Sequence, residues 1–341
     1  MKCLRTTLLI LILSFLLVAC TASPTPLVNT SPTPGLHPDG TSTPPPSTET
    51  ATPETGRIVL VSNQSTYEPE IISLMEPLGV DYGLKLDMLP ALTTADLTPI
   101  TRVVILMEPD EGTLSLAQGA PAIQFVAITS QDLPVAANIS AIRLHPVDEI
   151  FIAGYLTSII APDWRSGGLL PSDTPMHETI QDAFVNGGRY FCGRCAPAYA
   201  PVVLFPQAAL LPSTSNPPEW EAAVNGLEVN RLETLYIHPA AASPDLLALL
   251  PSRGTILVGG QTPPAEFQQQ WAATVRTDPA SVLKILFPDL LAGIGGQDHS
   301  APIILTDVNP QYLSPGRQQR VEEVIQMLAD GEIQPLSVPL N

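Results

Sequence analysis

Two cysteines three positions apart, Cys192 and Cys195, form the pattern in this sequence that most directly suggests covalent chemistry. Such a pair can close a local disulfide, catalyse thiol–disulfide exchange, contribute to a zinc site or remain as free thiols. Exchange catalysts place the pair where a helix begins, whereas here it follows a helix predicted over Met176–Gly187. Zinc would need two more ligands, and the sequence has no second Cys-x-x-Cys. We therefore predict a disulfide, and no metal or cofactor.

Polar residues that follow predicted strands are the candidates for ligand binding. They can hydrogen-bond a small polar solute at the carboxyl ends of parallel strands. The alternative for each is helix capping or exposure to solvent, because Asp173 and Asp278 each precede a proline in the manner of an N-cap. The ligand-binding candidates are Asn63, Tyr67, Glu108, Thr129, Asp173, His238, Gln261 and Asp278.

Signatures of common enzyme classes are missing from the sequence. It contains no G-x-S-x-G elbow, no H-E-x-x-H pair and no phosphate-binding P-loop. It contains 15 Lys and Arg residues and 33 Asp and Glu residues, so it has no excess of positive charge with which to bind nucleic acid. The sequence predicts a protein that is not an enzyme and does not bind nucleic acid.

The elements that would position these residues are short aliphatic runs alternating with amphipathic stretches from Arg57 onward. Continuous apolar runs are typical of parallel strands covered on both faces. Alternation with helices predicts an α/β fold of two doubly wound lobes, each with a mainly parallel sheet of five or six strands. The predicted strands are Ile58–Val61, Arg102–Met107, Ile123–Ile128, Ile139–Leu144, Gly167–Leu170, Val202–Phe205, Thr234–Ile237, Thr255–Val258, Ala272–Val275 and Ile303–Leu305; the predicted helices include Pro69–Pro77, Pro146–Ile160, Pro279–Ala292 and Arg317–Ala329.

The N-terminal segment resembles an export signal. Lys2 and Arg5 precede an apolar run of about 11 residues, which is too short to span a bilayer. Leu17-Val18-Ala19-Cys20 looks like a bacterial lipobox, which implies that residues 1–20 carry a lipoprotein signal. The Cys20 thiol would be lipidated first, the signal would then be cut just ahead of Cys20, and the mature protein would start at the lipidated Cys20. The alternatives are a plain signal peptide and an uncleaved anchor. Residues 21–56 are rich in Pro, Thr and Ser and predict a disordered, extended tether.

Three further segments resemble the basic-membrane-protein family of lipid-anchored substrate-binding proteins of ABC importers. The first is Phe151-x-Ala153-Gly154-Tyr155 with Gly167-Gly168 downstream. The second has Phe184 before Gly187, and the third comprises Trp271 to Asp278 with Ile303 to Val308. The loop from Ser62 to Tyr67 departs from nucleoside-binding members, because it has one Tyr and no carboxylate before Glu68.

The resemblance implies the type I periplasmic-binding fold and a solute cleft between the lobes. It implies a lobe of residues 57–144 plus 279–300, and a second of residues 145–278 plus 301–341. The chain would cross between them near Leu144–Pro146, Asp278–Pro279 and Asp307–Asn309. We expect a monomer, lipid-anchored outside the cytoplasm, that binds a small polar solute such as a nucleoside-like molecule for an ABC permease. The alternative is a surface lipoprotein of the same fold that serves as a sensor or interaction module without import.

Overall fold

The computed structural model describes residues 55–62, 65–174 and 176–336, and within them strands and helices alternate. Cys20, the predicted signal and tether, and Asn63 lie outside the described residues. The helices are α1 (Glu68–Asp81), α2 (Glu111–Gln118), α3 (Pro146–Ile160), α4 (His177–Cys192), α5 (Pro217–Glu228), α6 (Pro244–Leu249), α7 (Pro279–Leu291) and α8 (Pro315–Ala329).

The first sheet contains six strands, all parallel to their neighbours. Its apolar side chains are buried because helices cover both faces, as in β3, where six of the seven residues are buried. The strand order is β11-β5-β4-β3-β1-β2. The strands are β1 (Arg57–Val61), β2 (Lys85–Leu89), β3 (Thr101–Met107), β4 (Gln124–Thr129), β5 (Ile139–Arg143) and β11 (Asp298–Ser300).

The second sheet also contains six strands, in the order β12-β10-β9-β8-β6-β7. All its pairings are parallel except that of β10 with β12. The predicted α/β class with two lobes and mainly parallel sheets is therefore confirmed. The strands are β6 (Ser166–Pro171), β7 (Gln207–Leu211), β8 (Thr234–Ile237), β9 (Ile256–Gly259), β10 (Trp271–Thr277) and β12 (Ile303–Thr306).

The chain passes between the two sheets at three places in the described residues. It leaves the first sheet after β5 and returns from β10 through Asp278–Pro279, near two of the predicted positions. The third passage is Ala301–Pro302, between β11 and β12. The prediction of Asp307–Asn309 is wrong, because these residues follow β12 and the Asn309 N–H donates to the Ala272 oxygen within the second sheet at 2.8 Å.

Other differences from the predicted elements have local causes. No strand forms over Val202–Phe205, where Val202 and Leu204 are exposed and only Phe205 is buried. Strand β7 starts instead at Gln207, two residues after the end of the predicted strand. Strands β2 and β11 were not predicted. Polar and apolar residues alternate along most of β2, and β11 consists of exposed polar residues, so neither is a continuous apolar run. Helix α4 extends to Cys192 instead of ending near Gly187.

Helix α3 positions the central residues of the molecule. Pro146 starts it, which suits a position whose N–H has no partner within the helix. From Glu149 to Ile160 every residue is buried, between the second sheet and helices α4 and α8. The helix therefore holds its first turn rigidly at the passage from one lobe to the other.

Candidate functional site

A buried carboxylate, Glu149, lies where residues from both lobes meet. Its Oε2 accepts hydrogen bonds from the Thr277 N–H at 2.9 Å and from the Thr277 hydroxyl at 2.7 Å. The Tyr67 hydroxyl, from the loop after β1, donates to the same oxygen at 3.3 Å. No described donor is bonded to the other oxygen, Oε1. Glu149 thus joins α3, the end of β10 and the first lobe.

Burial governs protonation at this cluster. It raises the pKa of the Glu149 carboxyl, which the bonds from Thr277 and Tyr67 and the charge of Arg276 oppose. The pKa of Tyr67 lies well above its ordinary value, first because of burial and then because of the Glu149 charge. Tyr67 therefore stays protonated at neutral pH and acts as a hydrogen-bond donor.

A second contact between the lobes joins Arg276 of β10 to Glu70 of α1. The Arg276 Nη1 forms an ion pair with Glu70 Oε2. The Nε of Arg276 is buried and has no hydrogen-bond partner in the described structure. It is therefore available to an acceptor atom that the protein does not supply.

The Tyr236 hydroxyl, on β8, is likewise buried without a partner among the described residues. Burial raises the pKa of Tyr236 well above its ordinary value, and the charge of Glu149 adds to this rise. A Cβ built on Gly260, the residue after β9, would lie 2.8 Å from the hydroxyl oxygen. The hydroxyl thus lies at the carboxyl end of β9. Leaving a buried hydroxyl unpaired is costly to the fold.

Glu108 and Thr129, both predicted site residues, contact each other at the ends of β3 and β4. The Thr129 hydroxyl donates to Glu108 Oε2 at 2.7 Å, and the Ser130 N–H donates to Oε1 at 2.8 Å. Glu108 has φ = 44° and also borders a cavity of about 160 Å³ lined by the ends of β1 and β3. Its charge makes the smallest of the contributions that raise the pKa of Tyr67.

Asp173 and His238 form a separate group at the ends of β6 and β8. Asp173 accepts from the Ser213 hydroxyl at 2.6 Å and the Ser213 N–H at 2.9 Å, which lowers the pKa of its carboxyl. Burial lowers the pKa of His238 to about 4, although the Asp173 charge opposes this. The Nδ1 of His238 accepts from the Ala240 N–H at 3.1 Å, so the neutral ring carries its proton on Nε2.

The remaining predicted residues have local roles. Asp278 caps α7, with its Oδ1 accepting from the Ser281 N–H at 3.1 Å and Pro279 at the first helical position. The capping alternative for Asp173 is wrong, because α4 begins at His177 and its N-cap is Met176. The Gln261 carbonyl oxygen accepts from the Thr274 hydroxyl at 3.3 Å.

The cysteine pair forms the predicted disulfide, Cys192–Cys195. It lies at the C-terminal end of α4, whereas exchange catalysts place such a pair at the start of a helix. Within the residues that the structure describes, no group of three or more His, Cys, Asp or Glu side chains could hold a metal ion. Over the same residues, no helix has the length and apolar character needed to cross a membrane.

Similarity to known proteins is confined to three-dimensional structure, since no protein-family model and no curated protein matches the chain. An ABC transporter solute-binding protein from Conexibacter woesei matches with a TM-score of 0.60 and 15% identity, over 82% of this chain and 98% of that one. A solute-binding protein of an ABC transporter system from Aeropyrum pernix K1 matches with a TM-score of 0.60 and 11% identity, and the match covers 84% of this chain and 94% of that one. A LacI-family transcriptional regulator from Silicibacter pomeroyi matches with a TM-score of 0.52 and 16% identity, and the match covers 74% of this chain and 99% of that one. The chain has the type I periplasmic-binding fold.

Within this type I periplasmic-binding fold, sequence reasoning missed the residues of the contacts between the lobes, Glu149, Thr277, Arg276 and Glu70, and the buried Tyr236 near them. Glu149 offered a signal, because it is an acidic residue at the start of an otherwise apolar helix. Thr277 and Tyr236 offered none, since a Thr or Tyr in an apolar strand is ordinary. Their importance depends on contacts such as that between Thr277 and Glu149, which are 128 positions apart.

Proposed function

We propose that this protein is an extracytoplasmic solute-binding protein that closes its two lobes on a small polar molecule. The observation that carries the proposal is the cluster around Glu149, where Tyr67 of one lobe and Thr277 of the other bind one buried carboxylate. Two buried donors near it, the Tyr236 hydroxyl and the Arg276 Nε, lack partners among the described residues. The fold shared with ABC transporter solute-binding proteins supports the same role.

The charges of the cluster favour an uncharged or cationic solute. Glu70, Glu108 and Glu149 contribute carboxylates, and Arg276 is the one cation in the described structure that forms an ion pair with any of them. An anionic solute would be disfavoured by the surplus of acidic over cationic side chains, although the Tyr236 hydroxyl and the Arg276 Nε could donate to it. A hydroxyl-bearing solute can donate to Glu149 Oε1 and accept from Tyr236 or Arg276.

We further propose that residues 57–144 plus 279–300 and residues 145–278 plus 301–341 move as the two lobes. The predicted binding residues Tyr67, Glu108 and Thr129 lie on the first, and Asp173, His238, Gln261 and Asp278 on the second. Asn63 is proposed to contribute from the loop after β1. Rotation would occur at the passages near Leu144–Pro146, Asp278–Pro279 and Ala301–Pro302.

The location and partners are proposed from the sequence. Lipidation of Cys20 would anchor the protein outside the cytoplasm, and residues 21–56 would hold the body away from the membrane. Membership of the basic-membrane-protein family would make an ABC permease the recipient of the solute. We propose that the protein acts as a monomer.

A thermal-shift screen of the full chain tests the proposal. The solutes are nucleosides, purine bases, sugars, amino acids and vitamins, with neutral, cationic and anionic members of each class where these exist. A solute at 100 times its Kd should add about 2.7 kcal/mol to the free energy of unfolding. We expect stabilisation by a neutral or cationic class. A folded protein that no solute stabilises would contradict the proposal and favour a sensor or interaction module without import.

A further inference from the structure

A cavity of about 270 Å³ lies at the passages between the lobes, and Tyr67, Glu149 and Thr277 do not line it. Its walls come from the start of α3, from the segment joining β11 to β12, and from α8. Residues of these walls include His145, Asp148, Ser300, Ala301, Leu328 and Ala329.

Hydrogen bonds connect the passages beside this cavity. The Ala301 N–H donates to the Arg143 carbonyl oxygen at 2.8 Å, linking the third passage to the first. The Asp278 N–H donates to the Pro302 carbonyl oxygen at 2.8 Å, linking the second to the third. A rotation of one lobe against the other changes the backbone at these passages, and therefore changes the shape of the cavity.

The cavity wall is mainly aliphatic and contains one unpaired carboxylate. Ala301 and Leu328 are buried, with 3% and 7% of their surface exposed. Asp148 is partly buried, and its carboxylate forms no hydrogen bond or ion pair with any residue that the structure describes. Burial raises the pKa of Asp148, and the charge of the neighbouring His145 opposes the rise. The oxygens of Asp148 can therefore accept hydrogen bonds from a donor placed in the cavity.

We propose that this hinge cavity is a second binding site, which takes a compact organic ammonium ion with an aliphatic body. Asp148 pairs with the ammonium group, and the aliphatic wall covers the carbon chain. The volume limits the ligand to a few carbon atoms, because a drug-sized molecule needs a larger cavity. Because the wall includes two of the passages between lobes, a bound ammonium ion restrains their rotation.

Calorimetric titration of the full chain with n-pentylammonium tests the binding step. We expect binding that weakens about tenfold or more in Asp148→Asn. The matched control is Asp182→Asn, an exposed acid on α4 away from the cavity, which should bind as the wild type does. The neutral analogue 1-pentanol should bind the wild type at least about tenfold more weakly than the ammonium ion. Equal affinity of wild type and Asp148→Asn, or no binding to a folded wild type, would overturn the proposal.

Hydrogen exchange tests the restraint on the lobes independently of any solute in the cleft. Saturating n-pentylammonium should slow exchange of the Ala301 and Asp278 amides, whose bonds connect the passages. The same concentration should leave both amides unchanged in Asp148→Asn. The Val104 amide, in the middle of β3, serves as the control for global stabilisation. Unchanged exchange at Ala301 and Asp278 in the ligand-bound wild type would show that occupancy does not restrain the hinge.

Discussion

Burial shifts the proton equilibria of two side chains of the second lobe in opposite senses. It lowers the pKa of His238 to about 4 and raises the pKa of Glu149. In both cases the neutral form is favoured in the folded protein. The contribution of His238 to the free energy of unfolding therefore falls as the pH decreases, and that of Glu149 falls as the pH increases.

Replacing His238 should remove a loss of stability in acid. The unfolded chain binds a proton at His238 below about pH 6.5, whereas the folded chain resists protonation until about pH 4. We expect the wild type to lose about 2 kcal/mol relative to His238→Asn between pH 7 and pH 4.5. Asn keeps an acceptor for the Ala240 N–H. Urea unfolding at both pH values measures the difference, and the exposed His299→Asn is the control. A constant difference between wild type and His238→Asn would refute this linkage.

Replacing Glu149 should act in the opposite direction. As the pH rises above about 4.5, the unfolded chain loses the Glu149 proton before the folded chain does. The stability of Glu149→Gln relative to wild type should therefore increase between pH 4 and pH 7. Unfolding in urea at several pH values measures it, with Asp182→Asn as a control. A relative stability that falls over this range would contradict the burial argument.

At the scale of elements, helices α3 and α4 approach each other closely enough that glycine is required at the crossing. A Cβ on Gly187 would lie 1.9 Å from the Phe151 carbonyl oxygen, and one on Gly154 would lie 2.0 Å from that of Phe184. Both obstacles are backbone atoms, which cannot rotate away. This crossing fixes α3 and therefore the position of Glu149.

Gly187→Ala should lower the free energy of unfolding by about 3 kcal/mol, because the two helices must separate. Gly226→Ala, in α5, is the matched control, since a Cβ there meets no atom within 4 Å. That control should raise stability by about 0.5–1 kcal/mol through helix propensity alone. Urea unfolding measures both variants. Equal effects of the two substitutions would show that the crossing is less tightly packed than described.

At the scale of the whole molecule, the sequence predicted the fold better than the site. Strands such as β3 are continuous buried aliphatic runs, and this pattern requires no knowledge of distant contacts. Strand β11 consists of the exposed residues Asp298–Ser300 and has no such pattern, so the third passage between lobes was misplaced. The site was less visible because its bonds join distant residues: Tyr67 and Glu149 are 82 positions apart.

The most direct test of solute binding at the Glu149 cluster is calorimetric titration of Tyr236→Phe with a solute found by the screen. The substitution removes a buried hydroxyl that lacks a partner in the described structure. The unliganded variant should be at least as stable as wild type, because it no longer buries an unpaired group. Its affinity for the solute should fall about tenfold or more, whereas Tyr82→Phe, exposed at the end of α1, should bind like wild type. Unchanged affinity in Tyr236→Phe would contradict the account.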